Sequence, residues 1–179
     1  MSAPTTRPGS GPTLSAIADV DHDAGLATTI AEHYAAGGPP MMHQLGLRIV
    51  AAHPGRVRFE VDVTDHVTHS GGVLCGQAIM ACMDTGMVFA MASLTGGEML
   101  PFTTVSLNTV FERGIPADCG TATFEATIVK PGRSLVFGEI GAFLPDGRRA
   151  ATATTTYMWL PVPSPPADGG PSSADARTS

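Results

Sequence analysis

The stretch Val73–Leu94 constrains the fold of this chain more than any other part of its sequence. Its 22 residues contain one charged side chain, Asp84, near the middle. A stretch of this length is long enough to cross a bilayer, but Gln77 and Asp84 are costly in lipid and no Lys or Arg flanks either end. We therefore expect no membrane span and predict a helix, roughly Cys75–Ser93, with protein on nearly all of its sides.

The segments around this helix have the pattern of a sheet that curls around it. Val57–Val63 and Thr121–Ile128 alternate apolar and polar residues, which is typical of antiparallel strands with one wet face. The predicted strands are Leu45–Ala52, Val57–Val63, Pro101–Arg113, Thr121–Lys130, Leu135–Leu144 and Arg148–Leu160. Short links between the last four predict an antiparallel meander. The predicted fold class is α+β, with an antiparallel sheet of five to six strands wrapped around one long central helix.

The chain begins and ends in segments dominated by Pro, Gly, Ser, Thr and Ala, a composition that does not support a packed core. We predict disordered tails at residues 1–22 and 161–179 and a single domain at 23–160. The domain begins with a short helix, Ala24–Ala36, which Asp23 caps and the run Gly37–Pro40 ends.

Charge and cysteine content narrow the class of protein further. The chain has 10 Lys and Arg against 16 Asp and Glu, a net charge of −6, and no basic run, so nucleic acid is not an expected partner. Its three cysteines form no CxxC pair, and its first residues lack a basic region followed by an apolar stretch. These features predict a cytoplasmic protein without a disulfide framework. The histidines lack a metal-ligand spacing, and no metal is expected.

Asp84 is a residue that an ordinary core would not contain. A lone buried carboxylate is costly, and the loss of water makes it a stronger base unless donors satisfy it. Asp84 is therefore a candidate catalytic residue. Pairing with a distant arginine, or a position at a helix bend, would give it a structural role instead.

The loop that leads into the helix, His69–Gln77, supplies candidate hydrogen-bond donors. Its glycines let the backbone pass close to a ligand. The first amides of a helix have no internal partners and carry the positive end of the helix dipole. The N–H of Gly76 is therefore suited to donate to a carbonyl oxygen that becomes negative during a reaction. The alternative is that the glycines only shape a tight turn.

Together, the loop and the helix carry the motif His-x-x-Gly-x-x-Cys-Gly-Gln, followed by an aspartate in the helix. This motif resembles that of the hotdog-fold acyl-CoA thioesterases, in particular those of the phenylacetate pathway. Their pattern is Asn-x-x-Gly-x-x-His-Gly-Gly followed by an aspartate, and Gly72, Gly76 and Asp84 fall on the matching positions. The resemblance extends from about Gly38 to Leu160, so it covers the whole predicted domain.

Three positions depart from the family pattern. His69 stands where the family has Asn or, in a related branch, Gln, while Cys75 replaces its His and Gln77 replaces its second Gly. Outside the motif, Phe102–Asn108 is similar to the family's strand after the helix, and Pro131–Leu135 is similar to a later turn.

The resemblance implies an acyl-CoA thioesterase that needs no cofactor beyond the coenzyme A of its substrate. The Gly76 N–H would polarise the thioester carbonyl, and Asp84 would either act as a general base on water or attack the carbonyl itself. His69 would donate to the carbonyl or position water, and Thr104 corresponds to a family hydroxyl that orients water near the aspartate. Because the family builds this site from two subunits, the resemblance also implies a homodimer, and pairs of dimers are common.

The resemblance also assigns residues to substrate binding. They are Gly72, Cys75, Gln77, Arg113, Gly132, Arg133 and Ser134. The turn around Arg133 often touches the coenzyme A phosphates in the family, although a solvated turn arginine fits the same sequence. Four methionines along the helix would line an adaptable acyl channel or pack in the core. They are Met80, Met83, Met87 and Met91.

Other functions fit parts of the sequence. A hotdog hydratase or dehydratase would use His69 with Asp84, although its Asp-x-Asn-x-x-x-x-His and Gly-His-Phe-Pro signatures are absent. An acyl-CoA-binding module without turnover would account for the departures at Cys75 and Gln77. A nucleophilic Cys75 at the helix start lacks an evident paired base.

Overall fold

In the computed structural model, which describes residues 23–162, a six-stranded antiparallel sheet packs against one central helix. The elements are α1 (Ala24–Gly37), α2 (Pro40–His43), β1 (Arg48–His53), β2 (Arg56–Asp62), β3 (Thr68–His69), β4 (Val73–Leu74), α3 (Gly76–Ser93), β5 (Phe102–Phe111), β6 (Thr121–Pro131), β7 (Leu135–Phe143) and β8 (Arg149–Trp159). This architecture confirms the predicted fold class. The predicted tails lie outside the described residues, apart from Pro161 and Val162, and the domain limits stay a prediction.

The order of the strands differs from the predicted four-strand meander. The sheet runs β1-β2-β6-β7-β8-β5, so β5 pairs with β8 and not with β6. The link between β5 and β6 is not a tight turn, because it bonds to the segment that enters α3. Ile115 accepts from the Leu74 N–H at 2.8 Å, and the Ala117 N–H donates to Gly72 at 2.9 Å. Within the described residues β5 is therefore an edge strand with one unpaired side.

Two helices precede the sheet and lie beside α3. The first begins as predicted, with the Asp23 carboxylate accepting from the Leu26 N–H at 2.9 Å. This helix packs against β1 and α3. The four-residue α2 was not predicted; Pro40 suits its beginning, because proline lacks the N–H that would have no helical partner there.

One side of α3 is less covered than the sequence predicted. The buried side faces the sheet, and Gly86 permits the close approach there, since a Cβ at this position would lie 2.6 Å from the Phe59 ring. On the other side Gln77 is exposed, Met80 is 40% exposed and Asp84 is half-buried. These three residues recur at helical spacing and form one open stripe. No helix in residues 23–162 is long and apolar enough to cross a membrane.

Candidate active site

The Asp84 carboxylate is held by two hydroxyl groups from neighbouring strands. Its Oδ1 accepts from Thr104 Oγ1 at 2.9 Å and from the Tyr157 hydroxyl at 2.5 Å. The same hydroxyl lies 3.0 Å from the backbone carbonyl oxygen of Asp84. None of the ion pairs among residues 23–162 includes Asp84. The arginine pairing that would have made Asp84 structural is therefore not found in the described part of the chain.

The pairing of β5 with β8 explains why both donors reach Asp84. Thr104 and Tyr157 are directly opposite each other, and residues opposite in a ladder share one face of the sheet. The register shifts by a bulge between Thr104 and Ser106, just beyond this pair. Tyr157 was not a sequence candidate, although its place on the inward side of β8 with Ala153 and Thr155 is a signal that could have found it.

A cavity of about 770 Å³ opens beside Asp84. Its walls come from α1, the segment around α2, the middle of α3 between Ala81 and Val88, and the loop before β5. Most of the lining is apolar, and it includes Ala36, Met41, Met42, Val88, Met99 and Phe102. An apolar cavity with a few polar groups at one wall is the usual form of a small-molecule site.

Two tyrosine hydroxyls near the cavity stay protonated at neutral pH. Burial, followed by the hydrogen bond to Asp84, raises the pKa of Tyr157 well above its ordinary value. Burial likewise raises the pKa of Tyr34, on the α1 wall, to about 12. The Tyr157 hydroxyl is therefore neutral at pH 7 and donates to the carboxylate.

The start of α3 presents hydrogen-bond donors. Gly76 is the first helical residue, and no hydrogen bond from its N–H occurs within residues 23–162. His69 is exposed in the β3–β4 hairpin, where its Nδ1 accepts from the Gly71 N–H at 2.8 Å. Because that bond occupies Nδ1 as an acceptor, the neutral imidazole carries its proton on Nε2 and can donate from it.

The start of α3 and Asp84 are not brought together within one chain. Asp84 is eight positions after Gly76, which corresponds to about 12 Å along a helix. The cavity beside Asp84 is not lined by His69, Gly72, Cys75, Gly76 or Gln77. A pairing of His69 with Asp84, as a hydratase would need, is likewise absent from the single described chain.

The predicted phosphate-binding residues lie at the two ends of the sheet. The turn of Gly132, Arg133 and Ser134 joins β6 to β7, and Arg133 is exposed. A Cβ on Gly132 would lie 2.0 Å from the Leu135 carbonyl oxygen, so the turn requires glycine. Arg113 follows β5 at the other end, where its guanidinium donates to the Arg149 carbonyl.

The sequence left two roles open for the helix methionines, an acyl channel or core packing, and the structure supports core packing for three of them. Met83, Met87 and Met91 are fully buried on the sheet side of α3, where they pack in the core, and Met80 does not line the cavity either. The lining methionines are Met41, Met42 and Met99 instead, which come from segments without a periodic pattern.

Two of the three cysteines lie in or next to α3. Burial raises the pKa of the Cys82 thiol to about 12, and Cys75, the residue before α3, is half-buried. In residues 23–162 no group of three or more His, Cys, Asp or Glu side chains is arranged to hold a metal ion.

Known proteins share both the sequence pattern and the fold. The sequence pattern of the thioesterase superfamily matches residues 71–151. A thioesterase family protein from Silicibacter pomeroyi, known from its crystal structure, is 31% identical in sequence to this chain. The two structures have a TM-score of 0.65 over 76% of this chain and 98% of that one. This chain belongs to the thioesterase superfamily. It is an enzyme, a thioester hydrolase with the hotdog fold, and the resemblance drawn from its motif is confirmed.

Two more distant structures share the fold. The E. coli PaaI protein from the phenylacetic acid degradation operon has a TM-score of 0.66 at 17% identity, over 76% of this chain and 97% of its own. A Streptococcus mutans protein bound to acetyl-CoA has a TM-score of 0.58 at 17% identity, over 64% of this chain and 88% of its own.

Proposed function

We propose that this enzyme hydrolyses acyl-CoA thioesters to a free acid and coenzyme A, with Asp84 as the residue that activates water or attacks the thioester carbonyl. The observation that carries the proposal is the Asp84 carboxylate in the wall of an apolar cavity, held by two hydroxyls and without an ion pair to any of residues 23–162. The acetyl-CoA bound to the Streptococcus mutans protein of the same fold supports an acyl-CoA substrate.

The apolar cavity is suited to the acyl group. Its wall of α1, α2 and α3 side chains would remove an acyl chain or an aromatic ring from water, which is favourable in proportion to the apolar area buried. Asp84 lies at this wall, so an acyl group inside the cavity would carry its thioester carbonyl close to the carboxylate. The coenzyme A portion would then extend outside.

A second copy of the chain would supply the donors that one chain does not bring to Asp84. Thr104, next to Asp84, lies near one end of the edge strand β5, and Phe111 ends the same strand. The Phe111 ring lies 3.4 Å from the Cβ position of Gly76, so the helix start lies at that end.

Antiparallel pairing of two copies along β5 would place the Thr104 end of one strand beside the Phe111 end of the other. Gly76 of the second copy would thereby come close to Asp84 of the first, and the arrangement would repeat by symmetry. The apolar side chains of Val105, Val110 and Phe111 are exposed on this edge strand, and pairing with a second copy would cover them.

The chemistry then follows from the placement of charge. The Gly76 N–H, with Nε2–H of His69, would donate to the thioester oxygen as it becomes negative. In the general-base route, Asp84 takes a proton from water as the water oxygen bonds to the carbonyl carbon. The C–S bond then breaks, and Asp84 returns the proton to the leaving thiolate. In the nucleophilic route, Asp84 bonds to the carbonyl carbon, the C–S bond breaks and coenzyme A leaves as the thiolate. Water then hydrolyses the mixed anhydride to the free acid and the Asp84 carboxylate, and a proton from that water neutralises the thiolate.

The decisive experiment is thiol release from a panel of acyl-CoA thioesters, measured for the wild type and for Asp84→Asn. We expect turnover to fall on the order of 100-fold or more in the variant, since the base or nucleophile is lost. The matched control is Asp118→Asn, which makes the same change at an exposed aspartate away from the cavity. Wild-type turnover by a folded Asp84→Asn protein would refute the proposal, as would hydration of an enoyl-CoA without thiol release.

A further inference from the structure

We propose that Tyr157 is a positioning residue that fixes the Asp84 carboxylate so that Oδ2 is the oxygen that reacts. This inference rests on the proposed role of Asp84 in thioester hydrolysis. Tyr157 is a buried polar residue outside the motif from His69 to Asp84. Its contact with Oδ1 makes the two oxygens of the Asp84 carboxylate inequivalent.

The contacts of Tyr157 restrict Asp84 at two points. The hydroxyl lies 2.5 Å from Oδ1 and 3.0 Å from the backbone carbonyl oxygen of the same residue. A single group that bridges the side chain and the main chain of Asp84 limits the rotation of the carboxylate about its side-chain torsions. Asp84 is thereby held in one rotamer before substrate binds, which is the preorganisation that catalysis requires.

The Tyr157 hydroxyl is held in place by the packing of its ring and by its strand. Tyr157 is 1% exposed and lies on β8, an interior strand that pairs with both β5 and β7. Its ring packs against the Phe102 ring with a centroid distance of 5.7 Å. Thr104, the other donor, lies on the edge strand and is exposed. Of the two donors, Tyr157 is therefore the one whose position the core fixes.

The two carboxylate oxygens have different surroundings. Oδ1 accepts from both Thr104 and Tyr157, whereas no hydrogen bond to Oδ2 occurs within residues 23–162. Donors stabilise the negative charge on the oxygen that they contact and leave less of its electron density for a proton or a carbonyl carbon. Since Asp84 lines the cavity, Oδ2 is the oxygen that remains to take a proton from water or to form the bond to carbon.

The test is Tyr157→Phe, which keeps the ring and removes the hydroxyl. We expect kcat to fall about tenfold with little change in KM, as for a residue that acts in the transition state and not in binding. A fall in kcat at an unchanged KM distinguishes the loss of positioning from the loss of substrate binding.

The matched control is Thr155→Val, which removes another buried hydroxyl from the same side of β8. The Thr155 hydroxyl donates to the Ser106 carbonyl at 2.8 Å and not to Asp84, so both kcat and KM should stay at wild-type values.

A folded Tyr157→Phe protein with wild-type kcat would overturn the inference. If that variant does not fold, Thr104→Val removes the other donor to Oδ1 from an exposed position and should likewise lower kcat with little change in KM, while Thr104→Ser should restore kcat. Wild-type kcat in a folded Thr104→Val protein would then count against the assignment of Oδ2. Activity retained by Asp84→Asn would instead refute the proposed function itself, so the two failures are distinguishable.

Discussion

The start of α3 and its middle supply different groups to the proposed reaction, hydrogen-bond donors at the start and a carboxylate in the middle. At the start, Gly76 and His69 present N–H donors, and both lie on or near the surface. In the middle, Asp84 presents a carboxylate acceptor beside an apolar cavity, and its donors come from its own sheet. In the proposed mechanism, neither region polarises a carbonyl and activates water by itself, and each takes its complement from another copy of the chain.

Gly76→Pro removes one of the two N–H donors at the start of α3. Proline is well tolerated at the first helical position, and the extended backbone of Cys75 suits a following proline. We expect kcat to fall about 100-fold, or about 3 kcal/mol of transition-state stabilisation, with the fold kept. Thiol-release kinetics and thermal denaturation measure the two effects.

The control for that variant is Gly76→Ala, which keeps the N–H. A Cβ at this position lies 3.4 Å from the Phe111 ring and so needs only a small adjustment. Equal losses in the two variants would mean that space at the helix start matters and that the donor does not.

A smaller effect is expected from His69→Ala, which removes the second donor. The predicted loss in kcat is about tenfold, because the Gly76 N–H remains to stabilise the oxyanion. His69→Gln, which restores a side-chain N–H, should recover most of the activity. If the His69→Ala variant has the kcat of the wild type, His69 has no part in the reaction and the Gly76 N–H acts without it.

The smallest effect on kcat/KM is predicted for Val88→Phe, in the wall of the cavity beside Asp84. The added volume should lower kcat/KM about fivefold for long acyl chains and leave acetyl-CoA turnover unchanged. Val129→Phe, at an exposed position of β6, is the matched control. Equal losses for acetyl-CoA and long-chain substrates would show that the acyl group does not enter this cavity.

The two regions also differ in how much of them sequence could predict. The helix and its central aspartate were found because a long apolar run with one charge is a local pattern. The Gly76 donor was found because helix ends leave amides without partners. These inferences needed no knowledge of which strand pairs with which.

The surroundings of Asp84 depend on long-range pairing, which local patterns do not contain. The donation by Tyr157 requires β5 to pair with β8 in the register that sets Thr104 opposite it. The sequence favoured a meander because the links were short, and the contacts of 112–120 with the helix entry were not visible. The cavity methionines were missed for the same reason, since Met41 and Met99 lie in segments without periodicity.

The most direct test of a site shared between two copies is complementation between Asp84→Asn and Gly76→Pro chains. In a mixed dimer, one site combines both substitutions and the other combines the intact Asp84 of one chain with the intact Gly76 of the other. Unfolding and refolding the two inactive proteins together in equal amounts should therefore restore about a quarter of wild-type activity, since about half of the dimers are mixed and each has one working site. A mixture that stays as inactive as its components, although mixed dimers form, would contradict the account.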